Sequence, residues 1–202
     1  MARLESQLGR LTQATAREPG ETSGHGARAA EKPEMENRMT QRIAPADAPP
    51  IGQYWQGQGG IYAGIMPDYV GHEPKHLIFS ADEAVGMKWG GVGHIEPGAT
   101  SDYDGAANTR ALVASEISYP VAQWADNYEK DGHTDFHLPS RLELQVGATT
   151  IPDQFSSDGW YWSSTDDSKY MVPTQDFGAT GLDRFFKHMT ANARAVRTIP
   201  VA

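Results

Sequence analysis

Short apolar runs separated by glycines and polar turns mark the folded part of the chain, which we expect to begin near Ile51. Residues 61–66 and 76–79 are largely apolar, and both runs have the length of a β-strand. Ser80 and Glu83 then have the spacing of a capping box, in which the serine caps a helix and the glutamate lies in its first turn. This pattern predicts two strands followed by a short helix that glycines interrupt.

The middle of the chain has the apolar periodicity of helices. Residues 108–116 are predicted to be helical, and Pro120 suits the first turn of a second helix. Gly132 is predicted to end that second helix as its C-cap. Ser140 begins another capping box, which predicts a third helix over 141–146.

The C-terminal part of the chain has the composition of short strands. Strands are predicted at 160–165, at 170–172, around Phe177 and at 193–199. Because helices lie in the middle of the folded part and strands at both ends, the predicted fold class is α+β, with the N- and C-terminal strands paired to close the domain. Three of the tryptophans are expected in the core: Trp124, Trp160 and Trp162.

The first quarter of the chain differs from the rest, since all 5 Trp, 8 Tyr and 6 Phe lie in residues 51–202. Residues 1–50 cannot bury enough apolar surface to offset the entropy of ordering, and they are predicted to form an arm. The proline- and glycine-rich stretch 18–50 is predicted to be an extended linker. A short helix is predicted at about residues 3–17, where three leucines have the a/d spacing of a coiled coil: Leu4, Leu8 and Leu11.

This leucine seam has two interpretations. It is too short to be stable alone, so it is either a fraying amphipathic helix on a tail or a helix that needs partner copies. In the second case the arm anchors the protein in an assembly and makes it oligomeric.

The charge and composition of the 202 residues exclude several classes of protein. A net charge of −9 argues against a general nucleic-acid binder, which needs a basic face. The absence of cysteine excludes disulfides, thiolate zinc sites and thiol nucleophiles. No apolar run reaches the roughly 18–20 residues of a membrane-spanning helix, so no membrane span is predicted. Because residues 1–50 are neutral, the whole negative charge belongs to residues 51–202.

Two motifs contain residue types that bind metals. Residues 72–76 match the H-E-x-x-H pattern of zinc proteases, but Pro74 disfavours the helix that this chemistry needs, and no zinc site is predicted. Asp102 and Asp104 have the spacing of a calcium loop but lack its acidic twelfth residue. Calcium binding and a plain polar turn are both compatible with this pattern, and the turn is favoured. No catalytic set of side chains stands out, so an enzyme is not predicted.

Five segments carry a resemblance to a known family: 59–64 (GGIYAG), 104–109 (DGAANT), 135–144 (DFHLPSRLEL), 161–165 (YWSST) and 195–197 (AVR). In this order and spacing they resemble the DUF1566 type of domain, over about residues 52–200. This family occurs in phage and prophage tail proteins and as the C-terminal domain of a bacterial collagen-like adhesin, and it is similar to C-type lectin folds. The resemblance implies a rigid frame that presents variable loops for adhesion or receptor recognition.

By the same analogy, the binding face lies in the loops that precede the last strand, over 166–169 and 180–192. The motifs Glu-Pro-Asn and Trp-Asn-Asp, with which true C-type lectins bind calcium and sugar, are absent. Calcium-dependent sugar binding is therefore not expected. No other cofactor is predicted. The candidate ligand-binding residues are Asp166, Asp167, Ser168, Lys169, Asp183, Arg184 and Asn192.

The resemblance leads to the hypothesis of a phage virion protein at the tail tip or fibre, assembled in the host cytoplasm. Residues 1–50 would bind other virion proteins and form a homo-oligomer, for which a trimer is favoured. The lectin-like domain would bind a protein or glycan receptor on the host cell surface. The alternatives are a purely structural virion protein of the baseplate, tail or capsid, and a bacterial surface adhesin.

Overall fold

The computed structural model describes residues 41–69, 71–178 and 181–202. The predicted helix at 3–17 and its leucines Leu4, Leu8 and Leu11 lie outside the described residues, so the oligomerising seam stays a prediction. The described part contains helices and strands in two sheets, which confirms the α+β class.

The first sheet joins the two ends of the folded part. It contains β1 (Tyr54–Trp55), β2 (Gly60–Met66), β3 (Lys75–Ser80) and β9 (Val196–Pro200) in that spatial order, and all neighbours are antiparallel. The C-terminal strand β9 pairs with β3 from Lys75 opposite Pro200 to Phe79 opposite Val196. The predicted pairing of N- and C-terminal strands is therefore confirmed.

The second sheet contains the remaining strands in the spatial order β4, β8, β5, β6, β7. Its members β5 and β8 are parallel, whereas the other neighbours are antiparallel. Strand β7 therefore forms one edge of this sheet and β4 the other. The strands are β4 (Ala84–Lys88), β5 (Trp160–Trp162), β6 (Met171–Asp176), β7 (Gly181–Phe186) and β8 (Thr190–Ala193).

The three α-helices of the described ranges follow the predicted order. They are α1 (Gly105–Ala114), α2 (Pro120–Asp126) and α3 (Arg141–Thr150). Pro120 opens α2 as predicted, but the helix ends at the C-cap Asn127 rather than at Gly132, which lies in a separate turn.

Helix α3 is longer than predicted and has the predicted start. Ser140 accepts a hydrogen bond from the backbone N–H of Glu143, and the Glu143 side chain accepts one from the Ser140 backbone, so both halves of the capping box are present. The helix continues through Gly147, where an added Cβ would lie 2.9 Å from the ring of Phe79. Glycine is thus needed there for close packing, and it does not end the helix.

The helix predicted after Ser80 is wrong, because Ala84–Lys88 is strand β4. The Ser80 hydroxyl donates to the Asp82 carbonyl and accepts from the backbone N–H of Ala195, so it does not cap a helix. Glu83 accepts a hydrogen bond from the Tyr161 hydroxyl at 2.6 Å, on a distant strand. These long-range contacts override the local capping pattern.

Residues 41–50, which the sequence places in the arm, contact the folded part. Ile43 forms a parallel bridge to Val201, and its carbonyl lies 2.9 Å from Nε2 of the buried His76. Arg42 donates from Nη2 to both carboxylate oxygens of Glu73, at 3.0 and 2.8 Å. Residues 41–50 thus belong to the compact unit that contains both sheets.

The buried apolar side chains of the described ranges form three clusters, and the largest contains several aromatic residues. Trp162 is fully buried, and Trp124 and Trp160 are partly buried against the cluster that contains it, in agreement with the sequence. Leu138 and Trp89 belong to the same cluster. No helix in the described ranges is both long and apolar enough to cross a membrane.

Candidate binding cleft

A cleft of about 430 Å³, which we call the charged cleft, lies where the start of helix α3 approaches strands β6 and β7. It contains three of the seven candidate ligand-binding residues and one of the two calcium candidates. Its lining is Thr100, Asp102, Arg141, Asp167, Pro173, Leu182, Asp183 and Arg184.

Two arginine–carboxylate pairs form much of this lining. Arg141 donates from Nε and Nη2 to the two oxygens of Asp102 at 2.8 and 2.6 Å. Arg184 donates from Nη1 and Nη2 to the two oxygens of Asp167 at 2.8 and 2.5 Å. Such two-point pairs fix the orientation of both planar groups, so the cleft presents its charges in a defined arrangement.

The two pairs also interact electrostatically. The hydrogen bond from Arg141 to Asp102 raises the pKa of Arg141, and partial burial of Arg141 lowers it. The negative charges of Asp102 and Asp167 raise this pKa further. Each arginine keeps N–H groups that its carboxylate does not use, and each carboxylate keeps free lone pairs. The cleft can therefore donate to and accept from one polar ligand at the same time.

Asp183 differs from the other carboxylates of the cleft. Its Oδ1 accepts only the backbone N–H of Arg184 at 2.7 Å, and it has no salt bridge within the described ranges. The side chains of the cleft thus comprise three carboxylates and two guanidinium groups. A ligand with donor or cationic groups suits this balance better than an anion.

Arg141 lies in the first turn of helix α3, and the buried carboxylate of Glu143 fixes that turn. This carboxylate is fully buried and accepts a hydrogen bond from Lys75 Nζ at 2.6 Å, and His137 Nε2 lies 3.4 Å away. Burial alone would raise the pKa of Glu143, but these two neighbours lower it to about 2. The ionised Glu143 then holds the backbone of Ser140, and with it the first turn of the helix.

The sequence suggests that Asp166 is an exposed turn residue, but its side chain is fully buried. Its Oδ1 accepts a hydrogen bond from Lys187 Nζ at 2.7 Å, and its Oδ2 accepts from the backbone N–H of Glu96 at 2.8 Å. It therefore cannot contact a ligand on the surface. Its neighbour Asp167 lies at the surface, in the charged cleft.

The remaining candidates lie outside the lining of the charged cleft. The Ser168 hydroxyl accepts the backbone N–H of Tyr170 at 3.4 Å, and Lys169 is exposed. Asn192 belongs to strand β8, where its side chain accepts the backbone N–H of Gly86. Much of 181–192 is strand rather than the predicted loop.

The two calcium candidates already have protein partners. Asp102 pairs with Arg141, and Asp104 caps helix α1 by accepting the backbone N–H of Ala107 at 2.8 Å. Within 41–69, 71–178 and 181–202 no group of three or more His, Cys, Asp or Glu side chains could hold a metal ion. The favoured interpretation, a polar turn, agrees with these contacts.

A second cleft, of about 230 Å³, contains aromatic side chains that the sequence analysis did not single out. The rings of His72 and Tyr103 stack with centroids 5.0 Å apart, and Tyr69 lies 5.9 Å from Tyr103. Residues 72–76 contain no helix, and His76 lies on strand β3. The helix that the H-E-x-x-H pattern requires is therefore not formed at these residues.

Arg141 was not predicted as a site residue, although its position in the sequence contains a physical signal for a nearby carboxylate. A basic residue in the first turn of a helix is unfavourable beside the positive end of the helix dipole. Such a residue indicates a nearby carboxylate, which the structure identifies as Asp102.

No protein-family model matches this chain, and no curated protein matches it.

Proposed function

We propose that this chain is a phage virion protein of the tail tip or fibre, whose C-type-lectin-like domain binds a receptor on the host cell. Its arm, residues 1–50, binds other virion proteins and makes the protein a homo-oligomer, for which we favour a trimer. The motif resemblance over about residues 52–200 supports the domain type, as do the α+β class and the pairing of β3 with β9.

The observation that carries the proposal is the convergence of predicted binding residues in one cleft. Asp167 precedes β6, whereas Asp183 and Arg184 lie on β7, and all three line the charged cleft. The strand positions of Asp183 and Arg184 hold these side chains more rigidly than a loop would. Asp167, in the loop before β6, is held by its two hydrogen bonds with Arg184. A receptor site built on these elements is preorganised for binding.

Binding of the full chain to bacterial cells tests this function. The labelled protein is expected to bind some strains of a panel, and the double variant Asp167→Ala/Arg184→Ala is expected to lose at least tenfold in affinity. Asp82→Ala is the matched control, because Asp82 is an exposed carboxylate paired with Lys130 away from the cleft. Circular dichroism checks that both variants are folded. Equal binding by the double variant and the wild type would refute the assignment of the site.

A structural virion protein is the second candidate, and exposed apolar side chains near the end of β7 favour it. Tyr170 is 59% exposed, Phe186 47% and Met189 44%. Apolar exposure on this scale is typical of surfaces that bind other proteins. If Phe186→Ser prevents particle assembly while no strain in the panel binds the wild type, the structural function replaces receptor binding.

A further inference from the structure

A lysine and an aspartate meet in the interior of the second sheet region. Asp166 follows strand β5, and Lys187 follows strand β7. Lys187 Nζ lies 2.7 Å from Asp166 Oδ1, and both side chains have no exposed surface. A primary amine and a carboxyl group are thus in contact at a site that water does not reach.

The surroundings of this pair are unusual for two charges. Trp89 is itself fully buried and presents its ring 4.6 Å from Lys187 Nζ. The other polar contacts are to backbone groups: Nζ donates to the carbonyl of His94 at 2.6 Å, and Asp166 Oδ2 accepts the N–H of Glu96 at 2.8 Å. The pair is held in place from both sides by rigid groups.

These two backbone contacts are the ones that an amide would need. An amide nitrogen carries one hydrogen, which would donate to the carbonyl of His94. An amide oxygen would remain at Oδ2, where the N–H of Glu96 already donates. Replacement of the two charged groups by one amide would therefore leave no buried polar atom without a partner.

We propose that Lys187 and Asp166 condense to form an intramolecular isopeptide bond. A proton passes from the lysine ammonium to Asp166 Oδ1, which gives a neutral amine and a neutral carboxylic acid. The nitrogen lone pair then attacks Cγ, a C–N bond forms, and the bond from Cγ to Oδ1 breaks. Oδ1 leaves as water with the acid proton and one amine proton, and no oxidant or reductant is needed.

The environment favours the neutral forms that react. Burial lowers the pKa of Lys187 and raises the pKa of Asp166, while the hydrogen bond between the two groups opposes both changes. Fixed contact between two reacting groups also replaces the entropy loss of a bimolecular encounter, which can contribute a rate factor of many powers of ten.

The bond would close a covalent loop around one hairpin. Asp166 and Lys187 are 21 positions apart, and strands β6 and β7 lie between them. This chain has no cysteine, so a disulfide cannot supply such a link. The isopeptide bond would fix edge strand β7 to the body of the domain.

Mass spectrometry of the intact full chain tests the proposal. After incubation of the folded protein at neutral pH, the mass is expected to be about 18 Da below the sequence mass, since one water is lost. Protease digestion is expected to give a branched peptide that joins the segments around Asp166 and Lys187. Wild-type protein that remains at the full sequence mass would overturn the proposal.

The variant Lys187→Arg is the matched control, because it keeps the positive charge but has no primary amine. It is expected to have the full sequence mass. The control also excludes loss of water at the Asp-Gly sequences, such as Asp104-Gly105 and Asp158-Gly159. A loss of water that persists in Lys187→Arg, without a branched peptide in the wild type, would contradict the assignment. The wild-type result decides the question even if the variant does not fold.

Discussion

The fully buried carboxylate of Glu143 leads to a quantitative prediction about stability. Desolvation favours its neutral form, but Lys75 and His137 lower its pKa from 4.5 to about 2. The difference between these two pKa values corresponds to about 3 kcal/mol. Because the folded-state pKa lies below the unfolded-state pKa, this stabilisation is fully present above about pH 4.5. It is lost as the pH falls towards 2.

The variant Glu143→Gln isolates the charge. Glutamine has the same shape and also serves at the third position of a capping box, so the cap at Ser140 is kept. Urea unfolding at neutral pH is expected to show a loss of about 3 kcal/mol, because Lys75 is left beside an uncharged partner. The difference from the wild type is expected to shrink steadily between about pH 4.5 and pH 2.

Glu129→Gln is the matched control, because Glu129 is exposed. It is expected to change stability by no more than about 0.5 kcal/mol at any pH. Two results would refute the reasoning: a Glu143→Gln variant as stable as the wild type at neutral pH, or a difference in stability that does not depend on pH.

Three further predictions concern packing, the chain boundary and calcium. Gly147→Ala is expected to lower stability by about 1–3 kcal/mol in urea unfolding, since the new methyl group meets a buried ring; alanine is otherwise the better helix former. Removal of residues 1–40 is expected to leave the melting temperature of the domain unchanged, whereas removal of 1–50 lowers it, because His76 loses its contact with Ile43; equal melting temperatures would contradict this. Calcium in place of a chelator is expected to leave the melting temperature unchanged, since both candidate aspartates have protein partners, and a rise would indicate a bound ion.

Local signals in the sequence predicted several elements of the fold. The helix start at Ser140 depends on residues three positions apart, and the two opposing capping hydrogen bonds form as that spacing requires. Pro120 likewise opens its helix, because a fixed φ and a missing N–H suit the first turn. Elements of this kind are set by neighbours in the chain and can be predicted from one sequence.

The elements that were mispredicted depend on distant partners. Ser80 and Glu83 have the spacing of a capping box, yet they bond to Ala195 and Tyr161, more than 70 positions away in the chain. Asp166 lies in a polar stretch that suggests exposure, yet it is fully buried, where it pairs with Lys187 from a later part of the chain. A single sequence contains no signal for such pairs.

Only part of the lining of the charged cleft was predicted, because the rest depends on contacts between distant segments. Asp167, Asp183 and Arg184 came from a family resemblance that points to a face of the domain. Their neighbours Asp102 and Arg141 belong to segments 39 positions apart, and the fold brings them together. The resemblance therefore predicted part of the lining, and the geometry supplied the rest.

The bridge between Ile43 and Val201 has a consequence for how this domain can be attached. The N–H of Ile43 donates to Pro200, and the N–H of Ala202 donates to Ile43, so the chain enters and leaves the folded unit side by side. A module with adjacent ends can be inserted into a surface loop of another protein with little strain, and it tolerates circular permutation.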